Sequence, residues 1–326
     1  MPLETFLGVF PSPGRIADVA RMIERDGWDG MAVTDSQTNN GDAFCALSIA
    51  ATVTQRIKLT TSATNAVTRH PSVVASAIAS VHAESGGRAV LGIGRGDSSV
   101  RSIGQALMPL PQFRAALRDI QALLRGETVT YGEGQQTRMS WLERYGLAKI
   151  PVSVSATGPR TIEIGAIIGD RLTLSLGADL ERLQWAINLA RSARQAAGLD
   201  PAGLSIGAYA NATAHPDRER ARELVRPRLN TYIRHWTMHP NARQTLLAAD
   251  DELVERIKER TADLTDDFVD RHAVAGPSDY VIDRLREMVA LGLDHLIVVG
   301  YAGSVDRAEL EDASHRFGAE ILPALR

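Results

Sequence analysis

The most informative segment of the chain is Ala89-Val90-Leu91-Gly92-Ile93-Gly94-Arg95-Gly96-Asp97-Ser98. Its apolar first half predicts a buried strand, and its second half predicts a glycine-rich turn that presents a carboxylate and a hydroxyl. Three glycines at alternate positions let the backbone approach a flat ligand, because a residue without a Cβ leaves its N–H group open. A dinucleotide-binding fingerprint needs glycine at its first, third and sixth positions, and the sixth position counted from Gly92 is Asp97. The segment therefore predicts the catalytic rim of an α/β protein without a Rossmann site.

Short apolar runs of β-type composition alternate with helical patterns along the chain. The apolar residues of Pro71–Glu84 fall on one face at helical spacing, which predicts a helix that Gly86-Gly87 ends. A first helix is predicted from Gly14 to Asp26, with Gly27 past its end. Strand–helix units of about 25 to 30 residues imply parallel strands with right-handed crossovers. The predicted strands are Phe6–Val9, Gly30–Val33, Lys58–Thr61, Ala89–Ile93, Val152–Ser155, Leu172–Ser175, Leu204–Ala210 and His295–Val299.

This succession predicts an α/β fold, a closed TIM (β/α)8 barrel, with a doubly wound open sheet as the alternative. The chain has 326 residues, 44% of them hydrophobic, which suffices for a barrel of about 250 residues with insertions. The length also allows two domains, but we predict a single domain over residues 1–326. A turn-rich insertion, Arg125–Ile150, lies between helix four and strand five. A mostly helical insertion after strand seven, Asn211–Pro277, is expected to form a wall or lid over the active-site face.

Composition excludes several classes of function. The net charge is -3 with acidic and basic residues interspersed, which gives no basic face for a nucleic acid. The N-terminal residues lack a basic region followed by an apolar run, and no run of about 18 apolar residues occurs, so we expect a cytoplasmic protein without membrane partners. The single cysteine, Cys45, lies in an apolar segment and is expected to be a buried, inert thiol.

In a barrel of this kind the ligand site lies in the loops that follow the carboxyl ends of the strands. Asp35, in the loop after strand two, is a candidate for catalysis or for holding a cofactor ring, with a helix cap as the alternative. Asp97, after strand four, is a candidate acid or base, or a cap for the following turn. Arg95 pairs either with an anionic ligand tail or with a surface carboxylate.

The loop after strand three, Ser62-Ala63-Thr64-Asn65, offers small residues on which a flat ring could pack, although such residues also occur as ordinary strand-end packing. His70 precedes Pro71 at the start of the predicted helix, where capping or loop orientation is favoured over acid–base catalysis.

Two predicted helix N-termini follow strands five and six. The first follows Ala156-Thr157-Gly158-Pro159, and the second follows Gly177-Ala178. Exposed N–H groups and the helix macrodipole suit a phosphate at such termini, and simple helix capping is the alternative. A metal site is not predicted, because the eight histidines do not cluster at ligand spacing. His235 and His239 are four residues apart, but a third ligand is not evident, and we interpret this segment as a lid face.

Three motifs together resemble those of the bacterial luciferase-like superfamily, and more narrowly its branch of coenzyme F420-dependent methylenetetrahydromethanopterin reductases. They are Thr64-Asn65 with Thr68-Arg69-His70-Pro71, the segment from Ser85 to Ser98, and Ala156-Thr157-Gly158-Pro159-Arg160. The resemblance covers about residues 5 to 180, and Ala275 to Val299 more loosely.

The resemblance implies a TIM barrel that binds the deazaflavin coenzyme F420, with FMN as the alternative. It implies a cis peptide at Ser62-Ala63 behind the cofactor ring, and Asp35 and Asp97 near that ring. The cofactor phosphate is expected at Thr157-Gly158-Pro159 and Gly177-Ala178, and a homodimer is expected because related barrels often pair. Site residues expected on this basis also include Thr64, Asn65, Gly94, Arg95, Gly96, Ser98 and Ala156.

Two departures from the branch bear on the substrate. Related reductases commonly have glycine at the position of Ser62 and an acidic residue near the end of strand one, where this chain has Gly8-Val9-Phe10. We therefore expect hydride transfer between F420 and a small organic substrate other than a methylene-pterin. The alternatives are an FMN-dependent monooxygenase fed by a separate flavin reductase, and a non-catalytic barrel that only binds a flavin-like ligand.

Overall fold

The computed structural model describes residues 2–237, 264–300 and 307–326. Eight parallel strands follow one another around a closed barrel, because the order from β7 through β8 and β1 to β6 is completed by pairing of β6 with β7. This closure confirms the TIM barrel and excludes the open sheet. The strands are β1 Glu4–Val9, β2 Gly30–Val33, β3 Lys58–Thr61, β4 Ala89–Gly94, β5 Val152–Ala156, β6 Arg171–Leu174, β7 Ser205–Ala214 and β8 His295–Val299.

Helices surround this barrel and pack their apolar faces on the strands. Both helices that the sequence predicts in detail are present, and Gly27 and Gly86 follow them with positive φ of 85° and 64°. The longer helices are α1 Ile16–Arg25, α2 Ala43–Val53, α3 Pro71–Glu84, α4 Leu110–Leu124, α5 Pro159–Ile168, α6 Leu180–Ala196, α7 Arg218–Thr237, α8 Asp266–His272, α9 Ser278–Ala290 and α10 Arg307–Arg316.

Strand β4 can lie against β3 only because position 92 is glycine. A Cβ on Gly92 would come within 1.9 Å of the Thr61 carbonyl oxygen. The Thr61 hydroxyl donates to the Gly92 carbonyl at 2.6 Å and accepts from the Gly92 N–H at 3.1 Å. The first of the three alternate glycines is therefore a packing residue, and the ligand-facing positions are those that follow it.

Both predicted insertions contain strands. Residues 125–150 hold an antiparallel hairpin of Val129–Tyr131 with Gln135–Thr137, followed by a 3-10 helix at Ser140–Tyr145. The predicted end of strand seven at Ala210 is wrong, because β7 continues to Ala214. Strand Val274–Gly276 pairs in parallel with this extension, which provides the backbone hydrogen bonds that the extra strand residues need.

The expected burial of Cys45 is also wrong. Helix α2 turns Ala43, Phe44 and Leu47 toward the core, so position 45 falls on the outer side and its thiol is exposed. In the described part of the chain, no helix is both long and apolar enough to cross a membrane.

Candidate active site at the carboxyl ends of the strands

A cavity of about 990 Å³ opens at the carboxyl ends of the barrel strands. This is the end of the barrel at which the sequence analysis places the site. Loops after β1 to β6 and the ends of β7 and β8 all contribute to its wall. Of the residues expected from sequence, those that line the cavity are Asp35, Ser62, Ala63, Thr64, Gly94, Arg95, Gly96, Asp97, Ser98, Thr157, Gly158 and Pro159.

Asp35 is held in a buried hydrogen-bond network beside the cavity. Its Oδ2 accepts from the Thr64 hydroxyl at 2.6 Å and from the Arg69 guanidinium, which also binds the Asp42 carboxylate. Its Oδ1 is buried and has no hydrogen-bond partner among the described residues. The helix-cap alternative fails, because Asp42 caps α2 through the N–H groups of Phe44 and Cys45. Asp35 thus lines the cavity as a fixed carboxylate with one buried, unpaired oxygen.

The floor of the cavity contains the expected cis peptide between Ser62 and Ala63. Tyr209 supports this floor from the opposite side of the barrel, with its hydroxyl 3.2 Å from Ser62 Oγ and 3.0 Å from Ser155 Oγ. Burial raises the pKa of the Tyr209 phenol, so at neutral pH it remains a hydroxyl that can donate. Three hydroxyl side chains therefore form a continuous polar contact beneath the space where a flat ligand would lie.

The turn after β4 presents two charged side chains to the cavity. Arg95 Nε donates to the Met108 carbonyl at 2.7 Å, and burial lowers the pKa of its guanidinium. The Asp97 side chain is 39% exposed and lies 3.3 Å from the Arg101 Nε. Gly96 has φ of +89°, and a Cβ there would come within 2.3 Å of Val100. Only glycine therefore fits this turn, which holds Arg95 and Asp97 on either side of it at the cavity wall.

Helix α5 directs its N-terminus at the same cavity. Gly158 precedes the helix with Pro159 as its first residue, and no side chain caps this end. The first-turn N–H groups of a helix lack partners within the helix, and the macrodipole favours an anion there. Thr157 and Arg160 line the cavity beside this terminus. The arrangement can bind a phosphate.

Four residues expected at the site do not line the cavity. The amide of Asn65 is buried, accepts from Val67 and Thr68 N–H at 2.9 Å and donates to Ser99 Oγ at 3.1 Å, so it fixes the loop. Ala156 is a buried strand residue. Gly177 and Ala178 are covered by α8, whose His272 carbonyl accepts from the Ala178 N–H at 3.1 Å.

The second helix N-terminus is consequently a structural one. Asp179 caps α6 by accepting from the Arg182 N–H at 3.2 Å, and its other oxygen accepts from Arg271 Nε at 2.7 Å. The polar groups at this helix terminus therefore have hydrogen-bond partners within the protein. Residues 177–178 therefore do not present an open helix terminus to the cavity.

His70 has the capping role that its sequence position favours. Its Nδ1 lies 3.3 Å from the Ser72 N–H at the first turn of α3, and its ring packs edge-on against Tyr131 at 4.8 Å. Within the described residues, no three His, Cys, Asp or Glu side chains are placed to hold a metal ion. The side chain of His235 and the whole of His239 lie outside the described part.

The sequence analysis missed the wall formed by β7, β8 and β1. Asn211 is 2% exposed, and its Nδ2 has no hydrogen-bond partner in the described ranges. The Arg228 guanidinium lies over the Phe10 ring, 5.4 Å from its centroid. Tyr209 and Asn211 occupy alternate positions within β7, a strand of mostly small residues, and this contrast is the signal that could have found them. Arg228 comes from the insertion helix α7, where no local pattern marks it.

Comparison with known proteins gives a consistent result. The family model for luciferase-like monooxygenases matches residues 4–295. The 5,10-methylenetetrahydromethanopterin reductase of Methanolobus tindarius is 26% identical over 324 residues, which cover 94% of this chain and 95% of that protein. The F420-dependent glucose-6-phosphate dehydrogenase of Beutenbergia cavernae is 29% identical over 327 residues, covering 94% and 91%.

Solved structures agree on the fold. An F420-dependent secondary alcohol dehydrogenase in complex with an F420-acetone adduct superposes with a TM-score of 0.78 at 18% identity, covering 100% of both chains. The coenzyme F420-dependent tetrahydromethanopterin reductase of Methanopyrus kandleri has a TM-score of 0.77 at 21% identity, again covering 100% of both.

Proposed function

We propose that this chain, which belongs to the luciferase-like monooxygenase family, is an oxidoreductase that transfers a hydride between the deazaflavin coenzyme F420 and a small organic substrate. Relatives of nearly full length support this choice, since the names of the glucose-6-phosphate dehydrogenases specify F420. The identity of the substrate is not carried over from them. The observation that carries the proposal is one cavity lined by both the cis Ser62-Ala63 floor and the N-terminus of α5.

The residues present fit such a cofactor. The Ser62-Ala63 floor would lie behind the flat ring, and the orphaned Asp35 Oδ1 would accept from a polar N–H group at the ring edge. The α5 terminus at Gly158 would hold the phosphate, with Arg160 beside the acidic tail that follows it. When bound, the deazaflavin supplies a carbon, C5, that gives or takes a hydride without activating oxygen.

The two carboxylates are placed for different tasks. Asp35 is buried and paired with Arg69, so its position is fixed and it serves to orient the ring. Asp97 is at the rim, and a rotation away from Arg101 would bring its carboxylate to the substrate. A substrate double bond that gains a hydride at carbon must gain a proton at the neighbouring atom. We assign delivery of that proton, or its removal in the reverse direction, to Asp97.

Equilibrium binding of oxidised F420 and of FMN, followed by fluorescence quenching or calorimetry, tests the proposal. We expect F420 to bind at least tenfold more tightly, a difference of about 1.4 kcal/mol. The reverse preference would contradict the assignment of F420. Binding of neither compound would mean that the barrel does not use a flavin-like cofactor.

An FMN-dependent monooxygenase is the second candidate, because the matching family model is described by that activity. Oxygen consumption by the protein with chemically reduced FMN, measured in the presence of candidate substrates, separates the two enzymes. Substrate-dependent oxygen uptake supports the monooxygenase. Tight cofactor binding with no turnover under any reductant would instead support the non-catalytic barrel.

A further inference from the structure

The hydroxyl groups at the cavity floor hold one proton more than their mutual hydrogen bonds use. We call Ser62, Tyr209 and Ser155 the hydroxyl chain. Their oxygens are separated in that order by 3.2 Å and 3.0 Å, which makes two hydrogen bonds. None of these three side chains has another hydrogen-bond partner in the described part of the protein. Because Tyr209 keeps its proton at neutral pH, three O–H groups serve two bonds, and one is left to donate elsewhere.

The spare O–H group of the hydroxyl chain falls on Ser155. Ser62 Oγ donates to the Tyr209 hydroxyl, so the spare group belongs to Tyr209 or to Ser155. A phenol is more acidic than an alcohol and is therefore the better donor, which favours donation from Tyr209 onward to Ser155. Both bonds then run in the same direction, and each strengthens the next. Ser155 is thus the end of the chain that faces a ligand.

Ser155 lies between the floor and the anion site at α5. It is the one residue of β5 that is not fully buried, and it lines the cavity. Gly158 follows three residues later, within at most about 11 Å of chain. A ligand with its ring on the Ser62-Ala63 floor and its phosphate at Gly158 therefore places beside Ser155 the ring edge that carries the phosphate chain.

That edge of a deazaflavin carries hydrogen-bond acceptors. The phosphate chain is attached at N10, and the acceptors beside this attachment are N1 and the C2 carbonyl oxygen. Hydride transfer to the ring forms a C–H bond at C5, and the electron pair of the ring double bond at C5 moves onto N1 and the C2 oxygen. A donor at this edge therefore bonds more strongly to the reduced ring than to the oxidised ring. Hydrogen bonds of this kind are one way in which a protein adjusts a cofactor.

We infer that the Ser155 hydroxyl donates a hydrogen bond to the N1 and C2 edge of the deazaflavin, and that Tyr209 is the positioning residue that orients and polarises it. The inference rests on the proposed function, because the cofactor and its phosphate define which ring edge meets Ser155. It adds a specific consequence, since the hydroxyl chain favours the reduced form of the cofactor over the oxidised form.

Calorimetric titration of oxidised and of reduced F420 under nitrogen tests the inference. Ser155→Ala removes the donor, so the Kd of reduced F420 should rise at least tenfold and that of oxidised F420 less than threefold. Ser155→Thr keeps a hydroxyl and should restore the difference between the two forms. Tyr209→Phe leaves the Ser155 hydroxyl without the bond that orients it, so reduced F420 should bind about threefold more weakly while oxidised F420 binds as before.

Ser153→Ala is the matched control for Ser155→Ala. Ser153 lies two residues earlier on the same face of β5, and its hydroxyl contacts Thr173 Oγ1 at 2.8 Å without lining the cavity. Tyr145→Phe is the control for Tyr209→Phe, because Tyr145 is 53% exposed and lies outside the cavity lining. Both controls should bind the two forms of F420 as the wild type does.

Equal weakening of the two forms by Ser155→Ala, or no change in either, would overturn the inference and leave the proposed function intact. If the protein binds FMN in preference to F420, the proposed function falls. The same comparison with oxidised and reduced FMN then decides on Ser155, because both rings have the same N1 and C2 edge.

Discussion

Asp35 is the residue whose surroundings bear most directly on cofactor binding. Its Oδ2 is occupied by Thr64 and Arg69, whereas its Oδ1 is buried without a partner among the residues described. Asp35→Asn keeps the shape of the side chain and removes its charge, so that of these two salt bridges Arg69 retains only the one with the half-exposed Asp42. We expect F420 affinity to fall at least tenfold and the free energy of unfolding to fall by about 1 to 3 kcal/mol.

Fluorescence titration and urea denaturation measure these two effects. Asp18→Asn is the control, because Asp18 pairs with Arg21 on the exposed face of α1 and such pairs contribute about 0 to 1 kcal/mol. Unchanged F420 affinity in Asp35→Asn would rule out its contact with the ring.

Among the individual site residues, the sequence predicted the polar residues that directly follow strands, such as Asp35 and Asp97, because a strand end followed by polar groups is a local pattern. It could not predict Tyr209 or Arg228. Tyr209 acts through hydroxyl contacts with Ser62, which follows β3, and Ser155 in β5, which lie 147 and 54 positions away in the chain. The sequence also could not show that the helix terminus after Gly177 and Ala178 is covered. Whether a terminus is open depends on which distant residues pack over it.

The N-terminus of α5 is the element that distinguishes a phosphorylated cofactor from other flat ligands. Gly158 has φ of -91°, which any residue adopts, and a Cβ built there meets nothing within 4 Å. Gly158→Ala should therefore leave stability unchanged or raise it by up to about 1 kcal/mol, since alanine reduces the entropy of the unfolded chain. The new methyl group would occupy space at the anion site, so we expect F420 to bind at least tenfold more weakly.

The phosphate-free deazaflavin riboside separates this effect from general damage to the cavity. Its affinity should be the same in Gly158→Ala and wild type, as measured by fluorescence quenching. Equal weakening of both ligands would show that the terminus does not act on the phosphate.

Helix α8, which packs over the residues that follow β6, contains a buried histidine that makes the folded protein sensitive to acid. Burial lowers the pKa of His272 to about 4, from 6.5 for a free histidine. The unfolded chain therefore takes up a proton at higher pH than the folded protein, and stability is lost as pH falls from about 6.5 toward 4. Between pH 7.5 and 5 this residue alone should reduce the free energy of unfolding by about 2 kcal/mol.

Urea denaturation at the two pH values measures that loss. His272→Gln should reduce this loss by more than half. Burial also lowers the pKa of His82 and His295, so part of the acid sensitivity should remain in the variant. The same pH dependence in His272→Gln and wild type would contradict the assignment.

For the whole molecule, sequence periodicity was sufficient to predict parallel strands that alternate with helices, because buried strands and amphipathic helices leave strong local patterns. Closure into a barrel rather than an open sheet depends on the pairing of β6 with β7, which is a long-range contact. Seven of the eight predicted strands begin at the residue where the structure begins them or within one position of it. The second insertion was harder, since β7 continues past Ala210 only because Val274–Gly276, some 60 residues later, pairs with its end. Long-range pairing of this kind has no local signal.

The outer face of helices α2 and α3 leads to a prediction about assembly. The two helices pack against each other, and neither carries Asp, Glu, Lys or Arg before Glu84 at the very end of α3. Ile49 and Val73 expose 44% and 52% of their surface on this face. Two copies of an uncharged surface do not repel each other, so such a surface can pair with its own copy in a symmetric interface. We therefore predict a homodimer formed through α2 and α3.

Light scattering coupled to size-exclusion chromatography measures the mass. We expect about twice the 35.2 kDa of one chain. Ile49→Asp or Val73→Asp should weaken the dimer at least tenfold, because each buries an unpaired carboxylate in the interface. Leu199→Asp is the matched control, since Leu199 is 37% exposed after α6, away from this face. A monomeric wild-type protein, or a dimer that persists in both aspartate variants, would contradict the prediction. If the variants are monomeric and still bind F420 with the same affinity, each barrel holds a complete site.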